Sequence, residues 1–317
     1  MSCQWSKTVC DNRRLLVILG PTATGKSQLA IELARRIPAE IISGDSMLVY
    51  RGFNIGTAKP PADELREVPH HLLDILEPTA KYSAADFQRD ANALIKEVNE
   101  RGKIPVLVGG TGLYIQSLLE GYKFNAARPN EAYRRELNRL VADFGADALY
   151  ERLSEIDPTA AAKVDRRNPR RLIRALETAA AGESGGTGGG KLIFDAQVIG
   201  LNTRREVLYQ RIETRVDQMI AAGLVDEVKK LLADGVPPTA QAMQGIGYKE
   251  FYPYLQGRVT LAEATAQIKQ NTRRFAKRQM TWFRRMPYIE WLDCAAPTSE
   301  LADKVSVLIR QKYNWTF

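Results

Sequence analysis

Short apolar runs alternate with amphipathic stretches over the first 120 residues. Leu15–Leu19 is a continuous apolar run, as a strand buried on both faces requires. Gly20–Ser27 follows as a loop, and Ser27–Ile37 has helical spacing with basic residues in its last turn. Ala39–Ser43 reads as a second strand ending at Gly44-Asp45, and Ile104–Gly110 as a third after a helix around Asp86–Glu100. Strands alternating with helices predict an α/β fold with a parallel sheet covered on both faces. The rhythm changes after Gly121. Glu131–Glu155 is charged and helical, and Asp157–Glu177 contains no strand-like run. Leu192–Leu201 returns to strand character, and the remainder is mostly helical. The expected layout is a core of residues 13–120 plus 192–317, with a helical domain inserted at 121–191. Gly182–Gly190, rich in Gly with Ser and Thr, reads as a flexible linker closing the insertion. Residues 1–12 read as a frayed tail.

Composition narrows the class. At 317 residues the chain can bury a large core, and 44% hydrophobic with 26% charged residues is ordinary for a globular protein. No apolar run approaches a membrane span, and Met1–Arg14 lacks the apolar segment of a signal peptide. Cys3, Cys10 and Cys294 lack metal-ligand spacing, so neither a zinc site nor a disulfide framework is expected and a cytoplasmic setting is. His70 and His71 stand apart from any Cys and read as local structure rather than a metal site. The net charge of +8 permits a polyanionic partner without requiring one.

The strongest motif is Gly20-Pro21-Thr22-Ala23-Thr24-Gly25-Lys26-Ser27, which fits G-x-x-x-x-G-K-[ST]. Its glycines let successive backbone N–H groups converge on phosphate oxygens, and the following helix turns its positive end toward them. Lys26 can reach the terminal phosphate and the Ser27 hydroxyl can ligate Mg²⁺. The motif therefore predicts a P-loop NTPase-like core that binds a di- or triphosphate, ATP included. P-loop NTPases hold Mg²⁺ with a second acid at a strand end. Ile104–Val108 instead ends in Gly109-Gly110-Thr111-Gly112, and the available acid is Asp45, a metal ligand, a general base or a solvated turn aspartate. A small-molecule kinase and an NTP-dependent RNA-binding switch are the competing classes.

Longer segments decide among these. GPTATGKS (20–27), GDSMLVYRGFNIGTAKP (44–60), PHHLLD (69–74), YSAADFQRDA (82–91), PVLVGGTGLYIQSLL (105–119), DPTAAAKVDRRNPRRLIRALE (157–177), RIETRVDQMIAAGLVDEV (211–228), QGIGYKE (244–250) and IKQNTRRFAKRQMTWFRR (268–285) closely resemble tRNA dimethylallyltransferases. The resemblance covers nearly all of residues 13–285. It implies a P-loop core with an inserted helical tRNA-binding domain and a channel where prenyl donor and adenine meet. It also implies transfer of a dimethylallyl group from dimethylallyl diphosphate to N6 of the adenosine 3′ of the anticodon, with Mg²⁺ as the cofactor; a monomer without a membrane partner is the expected state. By the same resemblance Asp45 is the base, Thr111 lies beside it, and Arg215 contacts the diphosphate. From the residues alone, Thr111 could be a helix N-cap and Arg215 an exposed helix charge. The implied tRNA contacts are Asp45, Ser46, Met47 and Leu48; Thr111; Arg134; Asn168, Pro169, Arg170, Arg171 and Leu172; and Gln244, Gly245, Ile246, Gly247, Tyr248 and Lys249. One departure is Leu48, where the family usually carries a Gln before Val-Tyr. The chain ends at Phe317 without the zinc-finger extension of eukaryotic relatives, which implies a bacterial type.

Two basic clusters suit phosphates. Lys269, Arg273, Arg274, Lys277, Arg278, Arg284 and Arg285 crowd one stretch without an acid, with Arg273, Lys277 and Arg284 near one helical face. Lys163, Arg166, Arg167, Arg170, Arg171 and Arg174 form the second. Either could equally be a solvated face. Phe275 reads as a core residue.

Overall fold

The computed structural model describes residues 11–124, 130–181 and 190–313. The chain divides into two compact units, Met1–Glu120 with Gly190–Phe317, and Gly121–Gly189. The larger unit opens with β1 (Asp11–Leu19), α1 (Lys26–Ala34), β2 (Ala39–Ser43), α2 (Ala62–Glu67), β3 (His70–His71), α3 (Ala84–Glu100), β4 (Ile104–Gly109) and α4 (Gly112–Leu119). The smaller unit holds α5 (Glu131–Phe144), α6 (Ala146–Ile156), α7 (Pro158–Ala161) and α8 (Pro169–Ala180). The larger unit resumes with β5 (Phe194–Asn202), α9 (Arg205–Ala221), α10 (Leu224–Ala233), a 3₁₀ turn at Ala242–Gln244, α11 (Phe251–Leu255), α12 (Leu261–Phe283), β6 (Glu290–Asp293) and α13 (Thr298–Tyr313).

All pairings are parallel, in the order β3-β2-β4-β1-β5-β6. Strand periodicity sorts the apolar run of β1 between two cores. Leu15, Val17 and Leu19 face α3, α4, α10 and α12, while Leu16 and Ile18 face α1 and α13. Helices thus cover both faces, as the alternating pattern predicts. Two boundaries differ from the sequence reading. β1 begins at Asp11, inside the stretch read as a frayed tail, because it pairs with Phe194 of β5. The charged stretch 131–155 is broken at Gly145, whose φ of 81° ends α5. In the smaller unit Leu137, Leu149, Leu153, Leu172, Ile173 and Leu176 make a core of their own. The linker reading of 182–190 falls, but for Gly190, outside the described residues. Among the described residues no helix is long and apolar enough to cross a membrane.

The two histidines have structural partners. His71 Nε2 lies 2.7 Å from Glu40 Oε2, and His70 Nδ1 2.7 Å from the Val68 carbonyl. Glu40 sits near the amino end of β2 and is 4% exposed. Burial alone would raise its carboxyl, but hydrogen bonds from Arg101, His71 and Lys103 hold it near 2, below its ordinary 4.5. A depressed acid stabilises the fold above its unfolded value and loses that contribution as pH falls through its folded one. Glu40→Gln should therefore lower unfolding stability at neutral pH by about 2 kcal/mol, the half-exposed Arg101 and Lys103 remaining solvated. Urea unfolding should show the gap between variant and wild type closing from pH 4.5 toward pH 2. A gap unchanged over that range would sink this account.

Candidate active site

Because β2, β4 and β1 are adjacent and parallel, the loops after them share the carboxyl edge of the sheet, where α/β folds bind ligands. The loop after β1 is the phosphate motif. Gly20 has a φ of 145°, and a Cβ there would lie 2.4 Å from the Leu201 carbonyl oxygen, so only glycine fits. Thr24 Oγ1 and Lys26 Nζ donate to the Pro21 carbonyl at 2.8 and 2.6 Å, folding the loop around its lysine. Ala23 holds a φ of 64°, a strained conformation for a non-glycine residue. Burial, then the nearby Arg215 guanidinium, brings Lys26 from 10.5 down to about 8, against the opposing pull of Asp45.

A cavity of about 970 Å³ opens over this loop, lined by Thr22–Ser27, Asp45, Leu48, Lys59, Arg211, Arg215, Phe275 and Gln279, among others. A second, of about 340 Å³, is mostly apolar: Met47, Ile212, Val216, Met219, Ile246, Tyr248 and Ile268 contribute to it. Thr22, Ala23, Asp45, Thr57, Arg215 and Phe275 line both. Asp45 and Arg215 thus stand where an anion site meets an apolar chamber. Asp45 Oδ1 accepts from Met47 N at 2.8 Å, while Oδ2 takes no hydrogen bond from the described residues. Thr111 caps α4 by position, yet its side chain makes no cap bond. Instead Oγ1 accepts from Ser46 N at 3.1 Å, holding the two loops together.

The other candidate residues fall into three groups. Ser46, Met47, Gln244, Gly245, Ile246 and Gly247 join Asp45, Thr111 and Arg215 around the apolar chamber. Tyr248 is 0% exposed, packed on Phe53, and its hydroxyl donates to Glu227 at 2.8 Å. The ring is part of the chamber's wall. Lys249 is exposed and lines neither cavity. In the smaller unit Asn168 caps α8 with Pro169 in its first turn, and Arg170 and Arg171 are exposed. Leu172 is 0% exposed, so its side chain belongs to the core and is not available to RNA. Arg134 makes a bidentate pair with buried Glu177 at 2.9 and 2.8 Å, which orders its guanidinium.

The basic stretch on α12 also needs correction. Lys269 pairs with Asp217 at 2.7 Å and Arg273 with Glu213 at 2.5 Å, because α9 lies alongside and supplies the acids. Arg274, Lys277, Arg278, Arg284 and Arg285 remain exposed. Phe275, read as core, is only half-buried; it lines both cavities, with Arg278 over its ring at 5.8 Å.

Two residues at the site escaped the sequence reading. Glu227 accepts N–H bonds from Asn54, Ile55 and Gly56 at 2.8–3.1 Å and fixes the loop that walls the chamber. Nothing local marks this role. Gln279 reaches the phosphate loop from α12, where Ala264, Ile268, Ala276 and Phe283 form the buried stripe. A neutral polar side chain in an apolar stripe was the signal available.

The doubly covered parallel sheet and its divided site define a P-loop-like α/β enzyme in which a polar cavity over the glycine-rich loop adjoins an apolar chamber. Comparisons place it further. The IPP transferase family model matches residues 48–286. A tRNA dimethylallyltransferase of Geobacillus kaustophilus is 49% identical over 302 residues, covering 94% of this chain and 95% of the relative. The full-length tRNA isopentenylpyrophosphate transferase of Bacillus halodurans superposes with a TM-score of 0.73 at 46% identity, over 95% and 97% of the two chains. A eukaryotic dimethylallyltransferase solved acting on tRNA superposes with a TM-score of 0.78 at 30% identity, over 95% of this chain and 79% of the other. The chain belongs to the tRNA dimethylallyltransferase family. A kinase reading finds no support in these relatives.

Proposed function

We propose that this enzyme transfers a dimethylallyl group from dimethylallyl diphosphate to N6 of the tRNA adenosine 3′-adjacent to the anticodon. The observation that carries the reading is Asp45 on the shared wall of an anion cavity and an apolar chamber, with Arg215 beside it. The diphosphate lies over Thr22–Ser27 with Lys26 and Arg215 as its cations. The allylic carbon points past Asp45 toward the chamber, where the adenine arrives after leaving its stack at a cost of a few kcal/mol. The N6 nitrogen attacks C1 of the donor, the C1–O bond breaks, and diphosphate departs with its electron pair. Asp45 takes the amine proton. Lys26, Arg215 and the loop N–H groups stabilise the charge gathering on the leaving group.

A magnesium ion fits this arrangement through the exposed Ser27 hydroxyl, since Mg²⁺ needs few protein ligands when phosphate oxygens and waters supply the rest. When bound it would neutralise part of the leaving group's charge. The exposed arginines and lysines of α12, with Arg170 and Arg171 of the smaller unit, are available for tRNA phosphates.

Purified enzyme, unmodified tRNA, Mg²⁺ and either labelled dimethylallyl diphosphate or γ-labelled ATP separate the readings. Label from the prenyl donor is expected in tRNA, at the nucleotide 3′ of the anticodon after nuclease digestion. Transfer of the γ-phosphate to any acceptor would favour a kinase instead.

A further inference from the structure

The last ladder pair between β1 and β4 is Leu19↔Gly109. Beyond it the two loops part, one becoming the phosphate cradle and the other the Gly110-Thr111 turn. Gln279 occupies the gap. Its Oε1 accepts from Thr22 N at 3.0 Å and its Nε2 donates to the Gly110 carbonyl at 2.9 Å. The side-chain amide therefore bridges the two loops as a peptide unit would, from Thr22, three residues past β1, to Gly110, the first residue past β4.

Its surroundings are built for this. Gln279 is 5% exposed, and a Cβ on Gly110 would lie 2.4 Å from its Nε2, so glycine there lets the amide approach. One turn further along α12, Trp282 packs on Gly112, where an added Cβ would lie 2.6 Å from Cδ1. One helix thus fixes both ends of the Gly110–Gly112 turn. From that turn Thr111 accepts from Ser46 N, next to Asp45. A continuous path of hydrogen bonds and chain runs from the phosphate loop at Thr22, through Gln279, Gly110, Thr111 and Ser46, to Asp45.

On the reading given above, the cradle holds the leaving group and Asp45 meets the incoming amine. We propose that Gln279 is a positioning residue for the transfer: it sets the separation between the diphosphate cradle and the Asp45–Thr111 corner. Gln279 borders the donor cavity with both polar ends of its amide committed to Thr22 N and Gly110 O, so its loss should be felt mainly in the chemical step. Misplacement by about 1 Å can cost on the order of 10²-fold in rate.

The test uses single-turnover transfer with wild type, Gln279→Met and Gln279→Glu, each at saturating donor and tRNA. Methionine keeps the length and volume but makes neither bond. Glutamate makes both only when protonated, donating to Gly110 O and accepting from Thr22 N, whereas the ionised form faces the carbonyl with a like partial charge. Gln279→Met is expected to transfer about 30-fold more slowly at every pH, with both KM values within about threefold of wild type. The Gln279→Glu rate, divided by wild type at the same pH, is expected to climb as pH falls from about 8 to about 6. A residue that merely stabilised the fold would not produce that rise. A Gln279→Met rate within threefold of wild type overturns the proposal, as does a Gln279→Glu ratio that ignores pH. If Gln279→Met fails to fold, the Gln279→Glu profile decides alone. Absence of transfer by wild type would instead reject the underlying reading.

Discussion

Asp45→Asn is expected to lower the single-turnover rate by about 10³-fold, the contribution of a well-placed general base. Asparagine can still accept the Met47 N–H bond that Asp45 makes at 2.8 Å, so the turn survives and the loss reports on the base. Donor affinity should hold or rise. Asp45 is a negative charge on the wall of the anion cavity, and its field acts on both Lys26 and Arg215. Removing it leaves the cradle more positive, which favours diphosphate. tRNA binding should change little. Equilibrium binding of both substrates, measured beside the rate, distinguishes this from a misfolded variant. Turnover near that of wild type would take the base role away from Asp45.

Lys26→Ala should be nearly as damaging, for a different reason. It removes a cation held over the loop, so kcat/KM for the donor should fall about 10²- to 10³-fold. Wild type carries a pH signature that this variant lacks. Burial and Arg215 bring the Lys26 ammonium to about 8 in the free enzyme, and a bound diphosphate would raise it. The cradle is therefore fully cationic only well below pH 8 and loses a charge as pH rises through it. KM for dimethylallyl diphosphate should rise as pH passes 8, and binding near that pH should take up a proton, visible as a calorimetric heat that varies with buffer. A flat KM between pH 7 and pH 9 would show that Lys26 does not titrate in this range.

Much of this was readable in the chain, for reasons that differ by element. The apolar run Leu15–Leu19 and the glycines and lysine after it are a local code, since strand burial and anion-cradling backbone depend on residues within a few positions. Asp45 was legible as an acid at a strand end, and the family resemblance placed Thr111 and Arg215. Reading charge as surface failed where neighbours from elsewhere in the chain intervene. Arg134, Lys269 and Arg273 looked like RNA-facing cations, but Glu177, Asp217 and Glu213 lie opposite them. Leu172 and Tyr248 sit within segments that the resemblance implies contact RNA, yet packing with distant residues buries both.

The sequence by itself determined the alternating α/β core, the phosphate loop on the first strand, and the family to which the chain belongs. Periodicity and short motifs suffice for these, because each depends on residues close together along the backbone. Only the tertiary structure decided that β4 lies between β1 and β2, which brings Asp45, Thr111 and Thr22 to one sheet edge with Gln279 between two of the loops. Those pairings span up to 257 residues of chain. Such long closures carry an entropic cost that no local pattern encodes, and it is offset only when the whole core packs at once.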